Sequence, residues 1–154
     1  MARQRSIFSI ILVFLATFLI SCGGPSVAVA PPTYTADQVA QIQEYVPEIQ
    51  TVRDRADELK NLIQTNEWID VGNFIHGPMA EARLTMTYIT PHLLPKDQTA
   101  ARQITKDLLT HLVKLDQAAG RGNSLVALNN YQAVFTDVDK FIQLLPEGSK
   151  QAES

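Results

Sequence analysis

The fold is decided by residues 101–120, ARQITKDLLTHLVKLDQAAG, and residues 121–145, RGNSLVALNNYQAVFTDVDKFIQLL. Apolar side chains recur in both at steps of three and four, which places them on one face of a helix. They are Ala101, Ile104, Leu108, Leu112, Leu115 and Ala119, then Ala127, Tyr131, Val134, Val138, Phe141, Ile142 and Leu145. Gly120 and Gly122 separate the stretches and offer a left-handed cap. Two helices are therefore predicted, the second starting at Asn123 or Ser124 and stopping at Pro146.

A similar stripe lies closer to the N-terminus. Its members are Val39, Ile42, Val46, Ile49, Val52, Ala56, Leu59 and Ile63. The segment Thr35-Ala36-Asp37-Gln38 has the pattern of a capping box, but Pro47 interrupts the stripe. Pro47 either kinks one helix or is the first residue of the main helix, with a looser turn before it. We predict a continuous main helix from about Pro47 to Gln64.

The remaining stripe joins these two regions. It consists of Trp68, Val71, Ile75, Met79, Ala82, Met86, Ile89 and Leu93. Pro78 cannot donate a hydrogen bond to the carbonyl of Phe74, so we predict a kink there. The chain should unwind between Pro91 and Pro95, and Asp97 or a neighbour should cap the next helix. Four amphipathic helices with short connections predict an all-α, four-helix, up-down-up-down bundle.

An export signal that ends in a cysteine precedes the bundle. Arg3 and Arg5 are followed by an apolar run, 7–20, that is too short to span a bilayer as a folded helix. Leu19-Ile20-Ser21-Cys22 then resembles a bacterial lipobox, in which the peptide is cut before the cysteine and the thiol receives a diacylglycerol. An ordinary secretory signal with a coincidental cysteine, or an N-terminal membrane anchor, is the alternative.

These features predict four parts of the chain. Residues 1–21 form a lipoprotein signal peptide, and residues 22–34, rich in Gly, Ser and Pro, form a flexible tether with its lipid on Cys22. Residues 35–148 form the bundle, and residues 149–154 form a disordered tail.

The charge of the chain limits its partners. Without Arg3 and Arg5 there remain 11 basic and 16 acidic side chains, a net charge of about −5. Nucleic acid is not expected as a partner, because phosphate binding needs a basic surface. The same charge argues against anionic lipid headgroups as the main attraction to a membrane.

No catalytic signature accompanies the helical pattern. The sequence has neither a glycine-rich phosphate loop nor a metalloprotease box, so the chain is predicted not to be an enzyme. Asp107 and His111 lie one helical turn apart and are the candidate metal ligands, for zinc, although a zinc site needs three or four ligands. A solvated carboxylate–imidazole pair is the alternative. Met79 and Met86 leave a haem-binding bundle as a further alternative, although methionine is a common core filler.

The segment from Trp68 to Pro78 is the candidate partner-binding surface. Trp68, His76, Gly77 and Pro78 place a tryptophan, a histidine and a backbone irregularity within a short stretch. Tryptophan is enriched at binding hot spots. The alternative is that Trp68 closes one end of the core.

Several strings together resemble the PsbQ family in its cyanobacterial lipoprotein form. They are Asn66-Glu67-Trp68-Ile69-Asp70, Phe74-Ile75-His76-Gly77-Pro78, Leu93-Leu94-Pro95-Lys96-Asp97-Gln98 and Leu115-Asp116-Gln117-Ala118-Ala119, behind the lipobox. The resemblance covers nearly all of the chain after Cys22.

This resemblance implies an extrinsic subunit of photosystem II, lipid-anchored on the lumenal face of the thylakoid membrane, with lumenal photosystem II subunits as partners. Family members are four-helix bundles that assist water oxidation without performing it and help to retain calcium and chloride near the manganese cluster. Some bacterial members bind zinc. A general periplasmic scaffold lipoprotein outside photosynthesis is the alternative.

Overall fold

The computed structural model describes residues 32–150, in which helices account for most of the chain and no strand occurs. The helices are α1 (Ala36–Asp54), α2 (Ala56–Gln64), α3 (Trp68–Phe74), α4 (Ala80–Ile89), α5 (Pro95–Gly120) and α6 (Ser124–Leu144). A π-helical segment, Ile75–Met79, joins α3 to α4. Short 3-10 turns occupy Thr90–His92 and Glu147–Ser149.

The six helices make four arms of a bundle. The first arm is α1 with α2, the second is α3, the π segment and α4, the third is α5, and the fourth is α6. Each arm packs against the next, and the fourth packs against the first. The predicted all-α bundle is confirmed.

Contacts between neighbouring arms show their antiparallel order. The ring of Tyr45 in the first arm lies 6.1 Å from that of Tyr88 in the second. Against the fourth arm, Gln43 near the start of the first arm donates to the carbonyl of Gly148, and Arg53 further along it pairs with Asp139. Residue numbers rise along one arm as they fall along its neighbour, which is the up-down arrangement.

The four predicted stripes form one core. Of the positions named for them, only Val39, Trp68, Ile104 and Ile142 are half-buried, and the others are buried. Leu112 and Val138 both belong to the buried set. Small residues at Ala101, Ala118, Ala119 and Ala127 let α5 and α6 approach closely along their length.

The prediction for the first arm is correct at its start and wrong about Pro47. Thr35 forms the predicted capping box with Gln38, and α1 begins at Ala36. The helix then continues through Pro47 to Asp54, and the interruption falls at Arg55, with φ −85° and ψ 12°. Pro47 and Gln43 are both exposed, so water can satisfy the carbonyl that lacks its usual donor.

Pro78 has a different effect from Pro47. The chain around it forms the π segment, with wider turns than an α-helix, and the second arm continues without a break. A π-helical ladder joins residues five apart, so the missing donor of Pro78 is accommodated within it. The predicted unwinding near Pro91 corresponds to the 3-10 turn Thr90–His92.

The third arm begins earlier than predicted. Pro95 is the first residue of α5, Leu94 is its cap without a side-chain hydrogen bond, and Asp97 lies within the first turn. Proline suits this first position because its missing N–H would have no helical partner there. A carboxylate in the first turn is favourable beside the helix dipole.

The bundle also extends beyond the predicted end at residue 148. Ser149 is fully buried, and its hydroxyl donates to the carbonyl of Pro146 at 2.7 Å. The boundary expected at residue 149 therefore lies later in the chain. Residues 1–31 and 151–154, with the signal peptide, Cys22 and most of the tether, are outside the described residues.

Two adjacent leucines of α5 test the phase of the core. Leu108 is fully buried and Leu109 is 44% exposed. Leu108→Ala should lower the free energy of unfolding by about 2–5 kcal/mol, through lost burial and the cavity left behind. Leu109→Ala, the matched control, should change it by about 0.5 kcal/mol or less. Urea denaturation of both variants measures this, and equal losses would contradict the helix phase.

Candidate docking surfaces

The π segment places His76 at the exposed seam between the second and third arms. Its Nε2 lies 3.1 Å from Oδ1 of Asp116 on α5, and the His76 side chain is 70% exposed. Gly77 and Pro78 are half-buried beside it. Pro78 instead lines a separate cavity with Arg55, Glu58 and Leu62 of the first arm. The π segment therefore presents residues to two different seams, and π segments are frequent at functional sites.

No neighbouring atom explains the glycine at position 77. A Cβ built on Gly77 would meet nothing within 4 Å, and its φ is not in the left-handed region. Gly122 differs, because its φ of +63° is the left-handed cap predicted for the end of α5. Packing within residues 32–150 thus does not require Gly77, which leaves its backbone available for close approach by a partner.

Trp68 lies at one end of the bundle and not at the seam. Trp68 is the first residue of α3, and its half-buried side chain packs against the core. A Cβ atom added to Gly122 would lie 3.6 Å from Nε1 of this side chain. Eight residues separate it from His76, about 12 Å along a helix axis. The contact fits the alternative that Trp68 closes the core, although Ile69 and Leu125 beside these turns are 82% and 72% exposed.

The structure separates the two candidate metal ligands. Nδ1 of His111 lies 2.7 Å from Oδ2 of Asp137 on α6. Asp107 instead accepts a hydrogen bond from Gln103 at 2.9 Å. His111 is thus oriented toward the neighbouring arm and away from the carboxylate one turn before it.

Sequence reasoning missed Asp137, although a signal was present. Asp137 lies three residues after Val134 and four before Phe141, within the apolar stripe of α6. Its side chain is 5% exposed, and Nζ of Lys140 lies 3.9 Å from Oδ1. A carboxylate inside a core stripe needs a partner, and His111 provides it across the α5–α6 interface.

Other observations concern cofactors and membrane spans. Within residues 32–150, no group of three or more His, Cys, Asp or Glu side chains is arranged to hold a metal ion. Met79 and Met86 are both fully buried in the core. Among the residues described, no helix is long and apolar enough to cross a bilayer.

Tyr34 fixes the chain where it enters the bundle. Its hydroxyl oxygen accepts from the backbone N–H of Leu94 at 3.3 Å and its hydroxyl faces Asp97. Burial raises the pKa of Tyr34, the Leu94 N–H opposes that rise, and the Asp97 carboxylate reinforces it. The phenol therefore stays protonated, and the start of the first arm is held against the link between the second and third arms.

The sequence is similar to known proteins over the whole of the helical bundle. The sequence model of the family described as PsbQ, oxygen evolving enhancer protein 3, matches residues 2–146. The chain is also similar to the CyanoQ protein of Synechocystis sp. (strain ATCC 27184 / PCC 6803 / Kazusa). The two are 41% identical over 150 residues, which are 97% of this chain and 100% of the relative.

The pairing of His111 can be tested by two double-mutant cycles. His111→Ala combined with Asp137→Ala should give a coupling of about 0.5–3 kcal/mol in the free energy of unfolding, because the two groups are in contact. The matched cycle of His111→Ala with Asp107→Ala should give a coupling near zero. Chemical denaturation supplies all the values, and a larger coupling to Asp107 than to Asp137 would contradict this geometry.

Proposed function

This chain belongs to the PsbQ family, and from that membership we propose that it is an extrinsic subunit of photosystem II on the lumenal side of the thylakoid membrane. The observation that carries the proposal is the extent of the match. The matched region includes all six helices of the bundle, from Ala36 to Leu144, so the similarity extends well beyond any one motif. The chain is not an enzyme, because its family consists of proteins that enhance oxygen evolution.

The proposed role is to stabilise the oxygen-evolving complex and to support retention of calcium and chloride there. The bundle has one continuous core, so it can cover a surface as a single body. Covering a site slows the exchange of ions with bulk solvent. The exposed seam at His76 and Asp116 supplies a surface that the core does not use.

Anchoring through a lipid on Cys22 completes the proposal. Several acyl chains hold a protein firmly at a membrane, whereas a single chain binds only marginally. A short tether then keeps the bundle at a high effective concentration near its site, so a modest interface can remain occupied. Tyr34, fixed to Leu94 and Asp97, marks the point where such a tether would meet the folded body.

Removal of the protein tests the role in ion retention. Photosystem II from a strain lacking the chain should evolve oxygen in ion-replete buffer but lose activity sooner as calcium or chloride is depleted. The measurement is the oxygen-evolution rate against ion concentration, with and without added purified protein. Equal ion sensitivity in both preparations would contradict ion retention, and total loss in replete buffer would contradict an accessory role.

The anchor is tested by Cys22→Ser, with Ser26→Ala in the same tether as the matched control. The Cys22 variant should lack the mass of the acyl chains, whether it is exported or retained as the precursor. The control should keep that mass, because its cysteine is intact. An unmodified Cys22 in mature native protein, seen by mass spectrometry, would contradict the lipid anchor.

A further inference from the structure

Two adjoining cavities form a groove between α4 and α5. One half, about 380 Å³, is lined by Arg83, Thr87, Thr90, Pro91, Arg102, Thr105, Lys106 and Leu109. The other half shares Arg83 and Leu109 and ends at the His76–Asp116 pair. From Arg102 to Asp116 the groove follows α5 for about 21 Å.

The first half of the groove is basic although the chain as a whole is acidic. It contains Arg83, Arg102 and Lys106 and no carboxylate. Across residues 32–150, none of these three cations takes part in an ion pair; Arg102 only donates weakly to Gln98, at 3.4 Å. We call this half of the groove the basic groove.

The carboxylates of α5 are engaged elsewhere. Asp107 accepts from Gln103, and Asp116 faces His76 at the far end of the groove. The chain has 16 acidic and 13 basic side chains, a net charge of −3, so acidic groups are plentiful on it. Three neighbouring cations without an acidic partner in such a chain therefore form a local positive field that an external anion can neutralise.

The other chemistry of the groove favours a peptide over a simple anion. The hydroxyls of Thr87 and Thr105 donate to carbonyls of their own helices, at 3.1 and 2.9 Å, so they are not free donors for a ligand. Beyond them, Leu109 and Val113 line the groove and are 44% and 47% exposed. The groove thus offers charges at one end and an apolar surface next to them, which suits carboxylates close to an apolar side chain.

We propose that this groove binds an acidic segment of a partner protein, with its carboxylates against Arg83, Arg102 and Lys106 and an apolar side chain against Leu109 and Val113. The inference rests on the proposed function, because it names the face by which the chain docks on its complex. A groove of this size is comparable to small-ligand pockets. It therefore accommodates a few side chains of a loop or extended segment and not a whole helix.

Two other occupants are less consistent with the charges. An anionic membrane surface would attract the basic groove but repel the rest of an acidic body. A second copy could offer its acidic first arm, but that contact joins two different surfaces and so propagates into open chains unless a ring closes. A carboxylate-bearing segment of another protein satisfies the groove without either cost.

Binding to photosystem II is the primary test. Full-length Arg83→Gln/Arg102→Gln/Lys106→Gln protein is compared with Lys60→Gln/Lys114→Gln/Arg121→Gln, which removes equal charge from exposed positions outside the groove. Complexes lacking the native protein are titrated with each, at low and high salt. The groove variant should bind about tenfold more weakly with a flatter salt dependence, and the control about as wild type.

Binding of the wild-type protein and of the groove variant tests the proposed function and the groove separately. If wild-type protein does not bind photosystem II, the proposed function is wrong. If wild type binds and the groove variant binds equally well, only the groove proposal is overturned. Denaturation midpoints of both variants establish that each is folded before binding is compared.

Carbodiimide crosslinking of the unaltered protein in the complex identifies the occupant without any substitution. This reagent joins an amine to a carboxylate that it contacts, so Lys106 should be linked to an Asp or Glu of another protein, and Lys114 should not. A Lys106 link to a carboxylate of a second copy would overturn the proposal. Loss of binding to phosphatidylglycerol vesicles by the groove variant, with photosystem II binding unchanged, would also overturn it.

Discussion

The structure depends on one constraint, that each apolar stripe must keep facing the bundle axis across every interruption of its helix. Two of the four arms are interrupted, at Arg55 in the first and at the π segment in the second. In both cases the residues on either side remain buried, Val52 and Ala56 in one arm, Val71 and Ala82 in the other. Since most helical stability comes from packing such a face, local irregularities are tolerated where the core stays continuous.

The two prolines show what a sequence pattern determines and what it does not. The stripes predicted the four arms, because periodicity reflects burial directly. Each proline removes one hydrogen-bond donor, and the sequence shows that loss equally at Pro47 and Pro78. The outcome depends on surroundings: Pro47 and its orphaned carbonyl face water, whereas Pro78 lies half-buried beside another arm. Solvent access is a property of the assembled bundle, so the helix break at Arg55 could not be predicted from Pro47.

The candidate site was predictable to a similar degree. His76 and Pro78 are close in sequence, but His76 faces α5 whereas Pro78 lines a cavity with the first arm. The partners of His76 and His111 are Asp116 and Asp137, 40 and 26 residues away along the chain. Spacing within one helix pairs residues three or four apart, and so it pointed to Asp107 for His111. Contacts between arms depend on their register, which only the assembled fold supplies.

The place of the α5–α6 pair in the chain influences how the bundle folds. α5 and α6 pack along most of their length and are joined by a link of three residues, Arg121 to Asn123. Such local contacts close short loops and favour rapid folding. The first two arms precede this hairpin, so in a chain made from its N-terminus their apolar faces lack full partners until α5 and α6 have been made. The early segments remain open to aggregation until then, and the bundle closes only after the third and fourth arms are present.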